Sequence, residues 1–362
     1  MALASVIATT VTTPDLTRSF TVNIGGRDCT ADALWSEFLI EQGNGEAQGR
    51  ASILLTRNLG DIPEVRNQAL VEVTDHRDSG SLAFRGFVDG RRRGRAPLWG
   101  TVKIEANDHS SLLSNIVANT YRPAESDVKR IGYLWGRYAT NALSGDLSYV
   151  NAVNASLPAA YYDGLTLAET LDLVAAQAAA AAWWYLDTAG RLHYGTSESI
   201  PAPKNVTSDT PAGDYIAPLD LDVDDDSTNY VQAVFVRGRN QTGSGWIYSQ
   251  AAVANHNGLI RTAYLDAPDV TTFAMKNAVA QAFLQQAAAA IQRGSFSVTS
   301  ADADGWRAGQ SVIVDSTHLG IVTTQYRVVR VRTEVLGPYA GYTAGLRRYT
   351  VEFNRGKRAR PF

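Results

Sequence analysis

The sequence predicts a mostly β, α+β protein in which two small antiparallel β-barrel domains flank an α+β module. Three observations carry that expectation. Residues 18 to about 105 break into short alternating strands separated by turn residues, and residues 216–362 do so again around one long helix. Between them, Gly164–Gly195 (GLTLAETLDLVAAQAAAAAWWYLDTAGRLHYG) reads as a helix leading directly into a hairpin. A chain of 362 residues also exceeds what one hydrophobic core usually serves. Composition divides it into 1–107, an N-terminal barrel; 108–215, the α+β module; and 216–362, a second barrel with its long helix.

In the first region RSFTVNIGG alternates and ends in a Gly-Gly turn, and RASILLTRN, ALVEVTDH and LAFRGFVDG follow at barrel-like spacing. TADALWSEFLIEQ is its one helical candidate, with Leu34, Phe38 and Glu41 on a face. GRRRGRAPLWG interrupts as an exposed loop before TVKIEAND resumes as a strand. In the second region Asp108 suits an N-cap for HSSLLSNIVA, RIGYLWGRYA suits a short amphipathic helix, and SGDLSYVNAVNASLPAAYYDG has no period. Thr166 and Glu169 form a capping box, and Leu167, Leu171, Val174 and Ala178 share the apolar face of the helix that follows. At Trp183 the period changes to that of strands, with Gly190 in the left-handed turn position between WWYLD and RLHY. ESIPAPKNVTSDTPAGDYIAP has linker composition.

In the third region Tyr230–Val236 is apolar on both faces and reads as a strand buried on both. One or two strands follow in GWIYSQAAVANHNGLIRTAYLD. DVTTFAMKNAVAQAFLQQAAAAIQRG reads as a helix with Phe273, Ala280, Leu284, Ala287 and Ile291 on one face and Gly294 just past its C-terminus. Four strands close the chain: GSFSVTS, GQSVIVD, YRVVRVRTEV and RRYTVEF.

Composition bounds the chemistry. Apolar residues make up 45% and charged residues 19%, and the net charge is −3, so no global field advertises nucleic acid or a membrane surface. Cys29 is the single cysteine, which excludes an intrachain disulfide framework and a cysteine-based zinc site. The N-terminus lacks a basic n-region, and no run approaches the roughly 18 apolar residues of a span, so neither a signal peptide nor membrane insertion is expected. The histidines (His76, His109, His193, His256, His318) show no metal-binding spacing, and there is no nucleophile elbow or P-loop. No catalytic, cofactor or metal residue is assigned.

Two charged runs remain as candidates. Asp220, Asp222, Asp224, Asp225 and Asp226 resemble the start of a calcium loop, but its sixth and twelfth positions, which need Gly and a bidentate Glu, hold Asp225 and Val231. A solvated strand entry is the plainer reading. Arg91, Arg92 and Arg93 offer guanidinium forks to a partner's carboxylates or phosphates.

The order of these elements resembles that of bacteriophage tail hub proteins. The resemblance rests on the helix-then-hairpin module with its aromatic–Asp–Gly–Arg–Leu turn (Trp183, Asp187, Gly190, Arg191, Leu192) and on DDDSTNYVQAVFVRGRN. It rests also on Gly305, Gly309, Gln310 and Val312 in the closing barrel, and on Phe84, Gly86 and Val88 in the first. The family includes baseplate hubs of contractile tails, hubs of long non-contractile tails and the base of type VI secretion spikes.

The resemblance implies a non-enzymatic virion protein of the tail tip, assembled in the host cytoplasm. It would form a homotrimer whose six barrels make a pseudo-sixfold ring between the tail tube with its distal tail ring and a central fibre or tip protein. That ring would hold the tape-measure protein and then pass the phage DNA, serving host attachment and genome ejection. It places Asp222, Asp224, Asp225 and Asp226 as channel lining and Arg91, Arg92 and Arg93 at an inter-subunit contact. Some hubs carry a C-terminal enzyme domain, whereas this sequence stops at Phe362, so none is expected. The alternatives are a hexameric distal tail ring protein and a carbohydrate-binding or glycan-cleaving β protein. The dispersed tryptophans count against the last.

Overall fold

The computed structural model describes residues 20–43, 48–58, 68–76, 80–95, 99–140, 143–179, 182–196, 200–218, 220–226, 231–239, 246–252, 262–266, 272–273, 276–277, 280–281, 284, 291–336 and 346–355. The chain is mostly β. Its first unit contains β1 (Phe20–Ile24), β2 (Arg27–Asp28), β3 (Leu39–Gly43), β4 (Arg50–Asn58), β5 (Leu70–Asp75), β6 (Ser81–Arg95) and β7 (Trp99–Asp108), in the spatial order β3-β4-β7-β6-β5-β1-β2 with every ladder antiparallel. Alternation sends Phe20, Val22, Ile53, Leu55, Val71, Val73, Val102 and Ile104 into one core.

Two expectations fail in this unit. TADALWSEFLIEQ is not a helix but two 3₁₀ turns, Thr30–Asp32 and Trp35–Glu37, followed by β3. The reason is tertiary: the Leu34 N–H donates to the Leu54 carbonyl at 2.8 Å, and Phe38 and Ile40 bury at a spacing of two. The arginine run is not an interrupting loop either, since β6 continues through it to Arg95, paired along β7.

The central module contains α1 (Ser110–Leu113), β8 (Val117–Arg122), α2 (Asp127–Tyr138), β9 (Ala160–Thr166), α3 (Leu167–Ala178), β10 (Trp183–Leu186) and β11 (Leu192–Gly195). Asp108, the expected cap, is the last residue of β7: the N-cap of α1 is His109, without a side-chain capping bond, and the Asp108 carboxylate accepts from the Ser110 N–H at 3.0 Å from one residue earlier. The Thr166–Glu169 capping box is complete, and Leu167, Leu171, Val174 and Ala175 are buried against α2 and the hairpin. At the hairpin turn Gly190 has φ 75°, where a Cβ would also come within 3.2 Å of the His109 ring, so both conformation and space call for glycine. Among the described residues no module strand joins the large sheet: β8–β9 and β10–β11 are separate two-stranded ribbons.

The third unit contains β12 (Asn205–Thr207), β13 (Tyr215–Ile216), β14 (Asp222–Asp226), β15 (Ala233–Arg239), β16 (Trp246–Ala252), β17 (Thr262–Asp266), β18 (Ile291–Thr299), β19 (Ser311–Ser316), β20 (Ile321–Leu336) and β21 (Leu346–Arg355). The stretch of linker composition supplies β12 and β13, which pair in parallel with each other and, through β12, with β19. β16-β15-β17 form a separate sheet. In it Val234 and Val236 are fully buried on one face, and on the other Ala233 is buried while Phe235 is half-buried against Tyr264, so the second face is covered in part.

Phe273, Lys276, Asn277, Ala280, Gln281 and Leu284 are helical, with Ala280 and Leu284 buried but Phe273 exposed; Ala287 lies outside the described residues. Ile291 and Gly294, read as the end of that helix, belong to β18. A Cβ at Gly294 would lie 2.4 Å from Phe353 and 2.5 Å from the Asp222 carbonyl, so the glycine admits a close approach of neighbouring strands rather than a helix cap.

The largest departure concerns the barrels. A single fourteen-stranded sheet spans both β units, because β20 pairs β19 along its first half and β3 along its second, with β21 on its other edge. Two separate cores lie on it, one over residues 20–106 and one over 206–353. Among the described residues no ladder closes either unit. The N-terminal sheet curls until Ala33 meets Leu55 in an isolated bridge, and the C-terminal sheet ends at β13 and β14.

Candidate functional site

The acidic run lies on β14, which pairs only with β18 among the described strands and is therefore an edge strand. Asp222 and Asp224 are exposed on one face while Val223 packs towards the C-terminal core. Asp224 stands opposite the exposed Arg293 and Asp222 opposite Ser295. Asp225 and Asp226 are on the same strand, and their side chains lie outside the described residues. Outward charge on an edge strand also opposes unwanted strand pairing. Arg91, Arg92 and Arg93 stand opposite Ile104, Lys103 and Val102 of β7; Arg91 is exposed, and the side chains of the other two are outside the described residues. The two charged runs belong to different β units and are not brought together. Among the described residues no group of three or more His, Cys, Asp or Glu side chains gathers as for a metal ion.

Two buried polar constellations were not anticipated from sequence. The first is the seam between the β units. Arg347 of β21 is 2% exposed and makes a bidentate pair with Asp75 of β5, at 2.6 and 2.7 Å. Its guanidinium also lies 4.2 Å from the Phe20 ring centroid, and Tyr349 donates a short hydrogen bond to Asp304. Burial, then the bond to Asp304, pushes the Tyr349 hydroxyl up to about 12. A cavity of about 190 Å³ opens here, lined from both units by Gln42, Asp75, Asp304, Trp306, Arg307 and Arg347.

The second constellation orders the aperiodic part of the module. Asp127, fully buried at the start of α2, accepts from the Val153 and Asn154 N–H groups at 2.7 and 2.9 Å and from the Tyr194 hydroxyl at 2.9 Å. Arg130, also fully buried, donates to the Pro123 and Pro158 carbonyls at 2.8 and 2.7 Å. Together they pin residues 150–160 where no helix or ladder satisfies the backbone. A signal was present: Asp127 and Arg130 fall in the same helical stripe as Ile131, Leu134 and Trp135, and charges within an apolar stripe must find buried partners.

The hairpin carries an aromatic stack. Tyr149, His193, Tyr185 and Trp183 succeed one another with ring centroids 4.5, 4.5 and 5.3 Å apart, and Arg191 and Arg327 cap the ends at 4.7 and 4.5 Å. Although burial opposes ionisation of Asp187, hydrogen bonds from His193 and Arg191 hold its carboxyl at about 2. These side chains are already paired with one another, as expected of a hairpin core rather than a ligand platform.

No family model matches the chain, and no curated protein matches it. Solved structures do match over nearly its whole length. A tail protein from Neisseria meningitidis MC58 is 13% identical, with 94% of this chain and 97% of that one aligned at a TM-score of 0.66. The 43 kDa tail protein of prophage MuSo2 from Shewanella oneidensis is also 13% identical, over 92% and 98% of the two chains at a TM-score of 0.67. The fold is that of phage tail proteins. An Escherichia coli component of the type VI secretion system shares it more distantly, at 11% identity over 94% and 78% of the chains and a TM-score of 0.53. The tail-protein fold thus extends over the two β units and the module between them.

Proposed function

We propose that the chain is a structural subunit of a phage tail tip or baseplate hub. Three copies would place six β units in a pseudo-sixfold ring joining the tail tube and distal tail ring to a central fibre or tip protein. The observation that carries this reading is the layout itself. Two β units with separate cores share one sheet and flank an α+β module, a plan common to tail proteins over more than nine-tenths of this chain. In the ring the two units would close into the barrels that the isolated chain leaves open, divided by a module expected at 108–215 whose last strand is β11, since β12 already joins the third unit, and the chain would have no catalytic role.

The channel of such a ring would hold the end of the tape-measure protein and, on host attachment, release it and pass the genome. Asp222 and Asp224, exposed on β14, would with Asp225 and Asp226 line it and repel DNA phosphates, since phosphates are held by basic surfaces. Arg91, Arg92 and Arg93 would meet a neighbouring subunit's acidic surface. The particle would be assembled in the host cytoplasm, with the chain at the tail tip.

Native mass of the assembled protein is the deciding measurement. Three copies support the hub, and six would move the assignment to a distal tail ring. Particles carrying Asp222→Lys with Asp224→Lys should assemble but eject DNA poorly; normal ejection would remove these residues from the channel. Unchanged assembly of an Arg91→Ala, Arg92→Ala, Arg93→Ala particle would remove the arginine contact.

A further inference from the structure

Among the described residues the module meets the β units through side chains, one of them Gln48, whose amide donates to the Ser114 hydroxyl at 2.9 Å. It has its own hydrophobic core and no strand in the large sheet among the described residues. On the N-terminal side the chain enters it at Asp108–Ser110, where the His109 ring packs edge-on to Phe87 of β6, 5.4 Å between centroids, and sits beneath the Gly190 turn. On the C-terminal side the aromatic stack ends with Trp183 under Arg327 of β20, 4.5 Å away.

Each contact buries a polar atom that goes unused. The His109 ring is 6% exposed and its Nδ1 has no hydrogen-bond partner; Trp183 is 9% exposed and its Nε1–H likewise has none. Buried polar atoms are normally satisfied, and leaving one unsatisfied weakens the contact that buries it. The His109 Nδ1 and the Trp183 Nε1 both lie where the module meets a β unit, and a movement that wets the two contacts would satisfy both.

We propose that the module is a hinged arm, held against the β units by two weak latches at His109 and at Trp183–Arg327, and that protonation of His109 releases it. The groups facing His109 are Arg85 and Phe87 from β6, Asp187 and Gly190 from the β10–β11 turn, and its neighbour Asp108, with Leu143 beside Gly190. Asp187 is engaged by Arg191 and His193, at 2.7 and 3.2 Å, and the Asp108 carboxylate is held by Gly49 and Ser110. Arg85, which is paired with Glu72, adds like charge beside the imidazolium that would form.

Burial, then the Arg85 charge, depresses the latched ring to about 4, whereas a wetted ring titrates near 6.5. The wetted, open arm therefore binds the proton more tightly. Between pH 7 and pH 5 the closed-to-open ratio falls by about twenty-fold, and nearly all of that change lies below pH 6.5. This arm does not depend on the tail-hub reading, because it concerns the isolated chain.

The test is the distance between spin labels at Thr140→Cys in the module and Thr317→Cys in the C-terminal unit, both exposed sites, with Cys29 buried at 1% exposure. One narrow distance at pH 7 and a second, longer population at pH 5, with far-UV circular dichroism unchanged, is the expected result. His109→Phe keeps the packing, removes the titration and should hold the narrow distance at both pH values. Arg327→Ala should populate the longer distance already at pH 7. A single distance in the wild type at both pH values overturns the arm, and an equal acid response in His109→Phe overturns the role of His109.

Discussion

Asp75→Asn tests whether the seam between the β units rests on a buried ion pair. The substitution keeps shape and removes the charge that Arg347 faces through two hydrogen bonds, 2.6 and 2.7 Å long. Arg347 is 2% exposed and cannot turn to water without opening the seam. Losing one partner of a buried pair costs about 3–5 kcal/mol, because the remaining charge stays desolvated. Here Asp304, 3.8 Å from the guanidinium, and the Phe20 ring face supply part of the compensation, which favours the lower end, about 3 kcal/mol. Urea unfolding followed by tryptophan fluorescence measures it, with Trp306 beside the cavity as a local reporter. The double variant Asp75→Leu with Arg347→Met should recover most of the loss, since a buried pair gains little over apolar residues of similar volume. A loss below about 1 kcal/mol for Asp75→Asn, or a double variant no better than the single, would refute the reasoning.

Three further outcomes follow from local geometry. Gly294→Ala sets a methyl against Phe353 and the Asp222 carbonyl, and overpacking of this kind should cost about 2–3 kcal/mol in the same urea experiment. Thr166→Ala removes the capping box that starts α3 and should cost about 1 kcal/mol, with reduced helicity by circular dichroism. Asp108 and His109 should give the chain opposing acid responses. Burial raises Asp108 to about 6 from 3.8, so the folded state holds that proton more tightly and gains about 1.3 kcal/mol as pH falls from 7 to 5. Burial lowers His109 to about 4 from 6.5, so over the same range folding loses about 1.8 kcal/mol. Asp108→Asn should therefore make stability more acid-sensitive and His109→Phe less so, as measured by urea unfolding at pH 7 and pH 5.

Much of the local structure was legible in sequence because its causes are local. The Thr166–Glu169 box, the apolar stripe of α3, the Gly190 turn and the Gly25–Gly26 turn each depend on residues a few positions apart. Where the cause is distant the reading failed. Leu34, between the two 3₁₀ turns, takes its backbone partner from β4, and Gly294 answers to Phe353, 59 positions later. Asp75 and Arg347 lie 272 positions apart, and neither carries a sign of the other. The charged runs were visible as runs. The acidic run's place at a strand was read too, but that of the arginines was not, because nothing local distinguishes a loop of arginines from a strand paired on one edge.

The long strand β20 explains why two regions that read as separate barrels form one sheet. Its first half covers the C-terminal core, with Tyr326 and Val328 buried there, and its second half runs on between β3 and β21 until Val335 enters the N-terminal core. A strand shared in this way ties the two cores through backbone hydrogen bonds that a swing of one unit against the other would break. Arg347, two positions along β21 from Tyr349, adds the buried pair to Asp75 at the same seam. Among the described residues the module has no such strand, and it meets the sheet through side chains at a turn and a hairpin. Rigidity therefore belongs to the β units, and freedom to move is concentrated in the helix-and-hairpin module that first distinguished this sequence.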